Sequence, residues 1–171
     1  EAAGYVTAIG RGIKGLAVGD TVVVTLIRAC GTCATCGSGK PVLCGAPPAY
    51  DNVLTSQDGQ PIEQAMNSGA FAEKVVVDQS QIVKLTAEMD LVAASLLACG
   101  VITGVGAVVN AAGLRAGQDV VVIGAGGVGL NAIQGARIAG ARRIVAVDMT
   151  EEKLEIARQF GATDGVLAST D

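Results

Sequence analysis

Between Asp119 and Asp148 the chain reads DVVVIGAGGVGLNAIQGARIAGARRIVAVD, and no other stretch restricts the fold so tightly. The run Val120 to Ile123 is β-branched throughout and stops at a glycine-dense turn. From Leu130 to Ile138 the large apolar residues are spaced as on a helix, and Ile144 to Val147 forms a second apolar run, which is followed by an acid. The pattern predicts strand, turn, helix, strand. Asp148 follows Gly124 by 24 residues, the offset expected of an acid at the end of the second strand in a dinucleotide-binding unit.

Each glycine of Gly124-x-Gly126-x-x-Gly129 has a physical task in that reading. Gly124 permits the tight turn, Gly126 lets the backbone approach a pyrophosphate, and Gly129 allows the helix to lie close on the sheet. Gly127 and Val128 open the helix, where unpaired N–H groups and the helix dipole favour an anion. Asp148 would accept hydrogen bonds from the adenosine ribose hydroxyls and repel a 2′-phosphate, so the expected cofactor is NAD rather than NADP. The competing reading is a glycine-rich turn that serves packing alone. The flanking strands, the helix and the placed acid weigh against it.

A second constellation lies earlier. Cys30, Cys33, Cys36 and Cys44 are spaced C-x2-C-x2-C-x7-C, with glycines and Pro41 between the last two. Four thiolates drawn together in this way make a closed tetrahedral zinc site of the structural kind. An iron-sulfur cluster competes, because C-x2-C-x2-C also opens the bacterial ferredoxin run. That run places its fourth Cys after three residues and follows it with Pro, whereas here the gap is seven and Gly45 follows. Free or disulfide-bonded thiols are the remaining option. No secretory signal pattern is present, so clustered cysteines point to metal and a reducing cytoplasm.

Composition narrows the partners. The net charge of −4 and pI near 4.8 argue against nucleic acid or an anionic membrane as a partner. Half of the 171 residues are hydrophobic and 24 are glycine, which describes a folded chain with many tight turns. The uncharged stretch between Asp90 and Arg115, with Gly100 and Gly104 at a GxxxG spacing, is long enough to span a bilayer. Its glycine and alanine content and its continuation into a nucleotide fold favour two buried helical segments instead.

Elsewhere, YVTAIG, GIKGLAVGD and TVVVTL read as short strands of a small barrel or sandwich, with Gly19-Asp20 turning into the strongest of them. Gly45 to Ser68 reads as a long surface loop, Ala70 to Val77 as a strand, and QIVKL as a short one. Thr150 is an N-cap candidate for a helix bearing Leu154, Ala157 and Phe160 and ended by Gly161. Lys153 on that helix would reach the cofactor or simply face solvent. The chain contains no histidine, begins with Glu1, and stops just as a third strand, Gly165 to Leu167, begins. The expectation is a piece of a longer protein.

These features together resemble the zinc-dependent medium-chain alcohol dehydrogenases. The residues that carry the resemblance are GYVTAIGRGIKGLAVGDTVVV, the four-cysteine lobe, LLACGVITGVGAV and VVVIGAGGVGLNAIQGARIAGA with its following AVD. The resemblance implies an α/β chain. A partial GroES-like β-barrel domain (1–100) is followed by a truncated, doubly wound Rossmann domain (101–171) that binds NAD. It assigns Cys30, Cys33, Cys36 and Cys44 to structural zinc and Cys99 to the third ligand of a catalytic zinc. Glu1 matches the Glu of a Gly-His-Glu motif whose His is a ligand, Thr103 a residue lining the nicotinamide, and Asp148 and Lys153 ribose contacts.

The implied chemistry is zinc-assisted hydride transfer from an alcohol to NAD, giving an aldehyde or ketone, in a homodimer or homotetramer. A polyol, threonine or glutathione-adduct dehydrogenase of the same superfamily is the nearest alternative. A zinc-free quinone reductase would lack the cysteine lobe, and a zinc-stabilised NAD-binding module without catalysis would have no need of Cys99. The 171 residues alone are expected to hold structural zinc, bind NAD weakly and turn over nothing.

Overall fold

In the computed structural model, residues 1–47, 54–86 and 88–168 are described. They divide into two units, Glu1–Ala98 and Cys99–Asp171.

The first unit is built on an antiparallel sheet. Strand β1 (Ala2–Tyr5) pairs with β2 (Thr21–Val24), which pairs in turn with β5 (Ile82–Lys84). Val22, Val23 and Val24 are buried in the centre of it, as befits a β-branched run on a middle strand. Asp20 closes the turn into β2 by accepting the Ala17 N–H (2.8 Å) and pairing with Lys84 (2.6 Å). The helical turn α1 (Ala34–Gly37) lies within the cysteine lobe, and Leu54–Thr55 (β3) and Pro61–Ile62 (β4) form a two-residue ladder. Helix α2 (Leu91–Ser95) is capped by Asp90, whose carboxylate accepts the Val92 N–H.

Two expected strands are absent from this unit, and a third is displaced, because of YVTAIG only Tyr5 lies in β1. GIKGLAVGD forms turns, because Gly12, Gly15 and Gly19 all take positive φ (85°, 79° and 92°) and interrupt any extended run. Ala70 to Val77 has strand composition but pairs with no described strand; the Val76 carbonyl is taken instead by the Gln64 side chain at 2.7 Å. Apolar and β-branched residues make a strand only where a neighbour supplies backbone hydrogen bonds. The expected loop from Gly45 to Ser68 contains the β3–β4 ladder, and residues 48–53 of it lie outside the described residues.

The second unit follows the predicted strand-turn-helix order. The parallel strands β6 (Asp119–Ile123), β7 (Arg143–Asp148) and β8 (Asp164–Leu167) are linked by α4 (Gly127–Ile138) and α5 (Glu151–Phe160). Ala132, Ile133 and Ala136 of α4 and Leu154 and Ala157 of α5 meet Ile144 and Ala146 of β7 in one buried core. Val121 (60% exposed) and Ile123 (84%) alternate onto the opposite side of β6. At the strand starts, Arg142 grips Asp119 with two hydrogen bonds, and Arg143 grips Asp164 likewise. Thr150 occupies the N-cap position of α5, but its side chain makes no capping bond.

Helix α3 (Gly100–Gly106) passes into a π-helical turn, Ala107–Ala111. Gly104 serves a close helix contact within this unit: a methyl there would stand 2.4 Å from the Val128 carbonyl oxygen on α4. The expected all-round burial is not met, because Ile102 and Val109 are exposed, as are Val92 and Leu96 of the preceding segment. Among the described residues no single helix is long and apolar enough to cross a membrane.

Candidate metal and cofactor sites

The lobe from Ala29 to Ala46 has almost no core of its own: neither α1 nor the 3-10 turn Pro41–Leu43 contributes a buried residue. Its order comes from polar contacts to sulfur. Two backbone N–H groups, of Thr32 (3.4 Å) and Cys33 (3.3 Å), point at Cys30 Sγ, and the Cys30 N–H points at Cys44 Sγ (3.4 Å). The Thr35 hydroxyl lies 3.0 Å from Cys33 Sγ.

These donors favour thiolate. They draw the Cys30 thiol down to about 6, with the Thr32 N–H the largest cause, and the Thr35 hydroxyl lowers Cys33. Cys36 is pushed up to about 11 by removal from water and by the adjoining Cys33 sulfur.

The four sulfurs lie within 4.8 Å of one another, with Cys33 Sγ and Cys44 Sγ 3.9 Å apart. A tetrahedron with zinc-sulfur bonds of about 2.3 Å has edges of about 3.8 Å. A disulfide would need about 2.05 Å between sulfurs, and none of the five cysteines forms one. An iron-sulfur cage would hold its ligands farther apart. The donor set and its size therefore fit zinc.

The neck of the lobe is fastened twice without metal. The Arg28 guanidinium donates to the Ala46 carbonyl across the neck, and Ser80 Oγ accepts the Ala29 N–H at 3.0 Å from a turn far along the chain. That turn, Gln79–Gln81, is held by a capping box between Asp78 and Gln81. The fully buried Gln81 side chain donates to the Thr25 and Asn67 carbonyls at 3.0 and 3.1 Å. The D-x-x-Q spacing was the sequence signal for this support; nothing in the sequence marked Arg28 or Ser80.

In the second unit the nucleotide turn has the shape its glycines require. Gly124 takes φ 92°, open to glycine but costly for other residues. A methyl on Gly129 would fall 1.8 Å from the Gly124 carbonyl oxygen, while one on Gly126 would meet nothing within 4 Å. So Gly129 is required by the protein itself, and Gly126 keeps clear a space at the start of α4, beside Gly127 and Val128.

Asp148 is nearly buried against this turn. Its Oδ2 accepts the Ala125 N–H at 2.7 Å, its Oδ1 accepts the Met149 N–H at 2.8 Å, and Lys153 Nζ stands 3.7 Å away. The Ala125 N–H is the largest cause holding its carboxyl below the ordinary range. The sequence marks Asp148 as a ribose acceptor that repels a 2′-phosphate, and nothing in it reveals this bond from the turn to the acid.

The remaining candidates fall in different units. Glu1 is exposed beside β1 in the first unit. Cys99 opens the second, half-buried before α3, with its carbonyl accepting the Thr103 N–H at 2.9 Å, and Thr103 is exposed. Among the described residues the four-cysteine lobe is the one place where three or more potential ligands converge, and Cys99 is not in it.

With this geometry in place, comparison decides the family. The alcohol dehydrogenase GroES-like domain matches residues 1–87 and the zinc-binding dehydrogenase domain matches residues 127–171. The chain belongs to the zinc-dependent medium-chain alcohol dehydrogenases. An S-(hydroxymethyl)glutathione dehydrogenase of Haemophilus influenzae is 41% identical over 96% of this chain and 46% of its own length. The alcohol dehydrogenase-like 7 protein of Arabidopsis thaliana is 37% identical over 99% of this chain and 46% of its own.

Among solved structures, an alcohol dehydrogenase zinc-binding domain protein from Burkholderia ambifaria superposes with a TM-score of 0.87 at 36% identity, over 96% of this chain and 47% of that one. Benzyl alcohol dehydrogenase from Acinetobacter calcoaceticus gives 0.85 at 32% identity, over 99% and 48%. The chain spans about half the length of the curated relatives it matches. Zinc and NAD are the cofactors of this alcohol dehydrogenase family.

Proposed function

We propose that the protein is an oxidoreductase that moves a hydride between a small alcohol and NAD, with an aldehyde or ketone as the oxidised product. The observation that carries this reading is the nucleotide turn: Gly126 leaves open space at the start of α4 while Asp148 is locked against the same turn.

In this reading the N–H groups of Gly127 and Val128 receive the pyrophosphate at the helix N-terminus, and Gly124 and Gly129 shape the turn that presents them. Asp148 retains free lone pairs for the ribose hydroxyls, with Lys153 beside it. Thr103 lines the nicotinamide. Cys30, Cys33, Cys36 and Cys44 hold a structural zinc that fixes the lobe. A GroES-like domain spans residues 1–100 and the NAD-binding domain 101–171. The protein works in the cytoplasm as a homodimer or homotetramer.

A catalytic zinc supplies Lewis-acid polarisation of the substrate oxygen when bound. Cys99 and Glu1 are the positions of this chain that would serve that centre, Cys99 as a ligand. The matched S-(hydroxymethyl)glutathione dehydrogenases favour a glutathione adduct as the second candidate substrate.

The test is cofactor binding: titrating the chain with NADH should raise NADH fluorescence saturably, with NADPH binding more weakly. No saturable NADH signal, or a preference for NADPH, overturns the reading.

A further inference from the structure

A lobe without a core must be held by its ligands and by its neck. Four thiolates around zinc close the tip, and the free energy of that closure depends on how nearly the empty lobe already has the bound shape. If the neck were loose, each ligand would have to be gathered from a wide ensemble, and a zinc ion that lost one sulfur would seldom have it returned. The neck of this lobe is not loose. Arg28 joins its two ends through the Ala46 carbonyl, two residues beyond Cys44, and Ser80 fixes the Ala29 N–H, one residue before Cys30.

Ser80 is in turn fixed from below. The Asp78 carboxylate accepts the Ser80 N–H at 2.8 Å, and Gln81 ties the same turn to β2 through Thr25. A line of hydrogen bonds therefore runs from the buried Gln81 to the residue preceding the first cysteine. It crosses 51 positions of sequence at the Ser80–Ala29 step.

We propose that Arg28 and Ser80, neither of which touches the metal, are positioning residues that hold the cysteine lobe in its metal-ready shape and so set how slowly zinc leaves it. The proposal rests on the zinc reading of the four cysteines. Partners outside the ligand shell commonly change metal affinity by about 10- to 100-fold, and the lower end suits contacts to backbone rather than to a ligand atom.

The experiment follows zinc release from the whole chain into excess 4-(2-pyridylazo)resorcinol at fixed pH, for wild type, Ser80→Ala, Ser80→Thr and Arg28→Met. Melting is recorded for each with zinc and after its removal. Expected are release rates roughly tenfold faster for Ser80→Ala and Arg28→Met, a rate close to wild type for Ser80→Thr, which keeps the acceptor oxygen, and unchanged melting of the zinc-free proteins. Unchanged release in Ser80→Ala overturns the proposal. So does an equal loss of melting temperature with and without zinc, which would make these residues general supports of the first unit. A wild-type chain that takes up no zinc would overturn the zinc reading itself, and the proposal with it.

Discussion

Two glycines in one turn should fail in opposite ways. In Gly129→Ala the new methyl would start 1.8 Å from the Gly124 carbonyl oxygen and 2.9 Å from its carbon, far inside the roughly 3.5 Å at which such atoms attract. The obstacle is backbone, so no side chain swings clear; α4 must lift from the turn. Overpacking of a dense site costs about 1–3 kcal/mol, and a backbone obstacle places this change at the upper end, about 3 kcal/mol. For a domain the size of the second unit that is a fall in melting temperature on the order of 15 °C.

Gly126→Ala should behave otherwise. Gly126 has φ −84° and ψ −170°, a conformation open to any L-residue, and its methyl would meet open space. Stability should stay within about 1 kcal/mol, since reduced freedom of the unfolded chain offsets a poorer cap. NAD affinity should drop about tenfold or more, because the methyl takes the volume kept for the pyrophosphate. Differential scanning calorimetry and NADH titration on both variants separate the effects. A Gly129→Ala protein melting within about 2 °C of wild type would refute the packing argument, and full NAD affinity in Gly126→Ala would refute the assignment of the space.

Other outcomes follow from the same structure. Leu154, 1% exposed in the core of the second unit, should cost about 2–5 kcal/mol when changed to Ala, read from denaturant unfolding. Asp164 has its carboxyl lowered to about 2, chiefly by Arg143. A depressed carboxylate stabilises the fold above its unfolded value of about 3.9 and loses that contribution as pH falls. Arg143→Gln should therefore be less stable than wild type near neutrality, with the difference shrinking between about pH 4 and pH 2; a difference that stays constant down to pH 2 would contradict it.

What the sequence made legible was local. Strand β6, its turn, α4 and β7 are each specified by neighbours within a few residues, and the four cysteines announce a shared metal by spacing alone. The losses came where distant partners decide. Ala70 to Val77 has the apolar, β-branched composition of a strand, yet strand formation depends on a neighbour that sequence does not display, and Gln64 takes the Val76 carbonyl instead. GIKGLAVGD offered apolar residues, but its glycines adopt conformations that only the folded turn reveals. Arg28 and Ser80 look like ordinary surface residues until the chain brings Ala46 and Ala29 to them. Thr150 sits where a cap was expected, and α5 forms without its hydroxyl, because Leu154 and Ala157 anchor it to the core.

The central claim is that four cysteines hold one zinc, in a chain whose remaining cysteine belongs to a different site. Metal counting by native mass spectrometry on wild type, Cys44→Ser and Cys99→Ser tests it directly. The account predicts about one zinc per chain in wild type, its loss or marked weakening in Cys44→Ser, and no change in Cys99→Ser. No zinc in wild type, or a count that falls with Cys99 but not with Cys44, would contradict it.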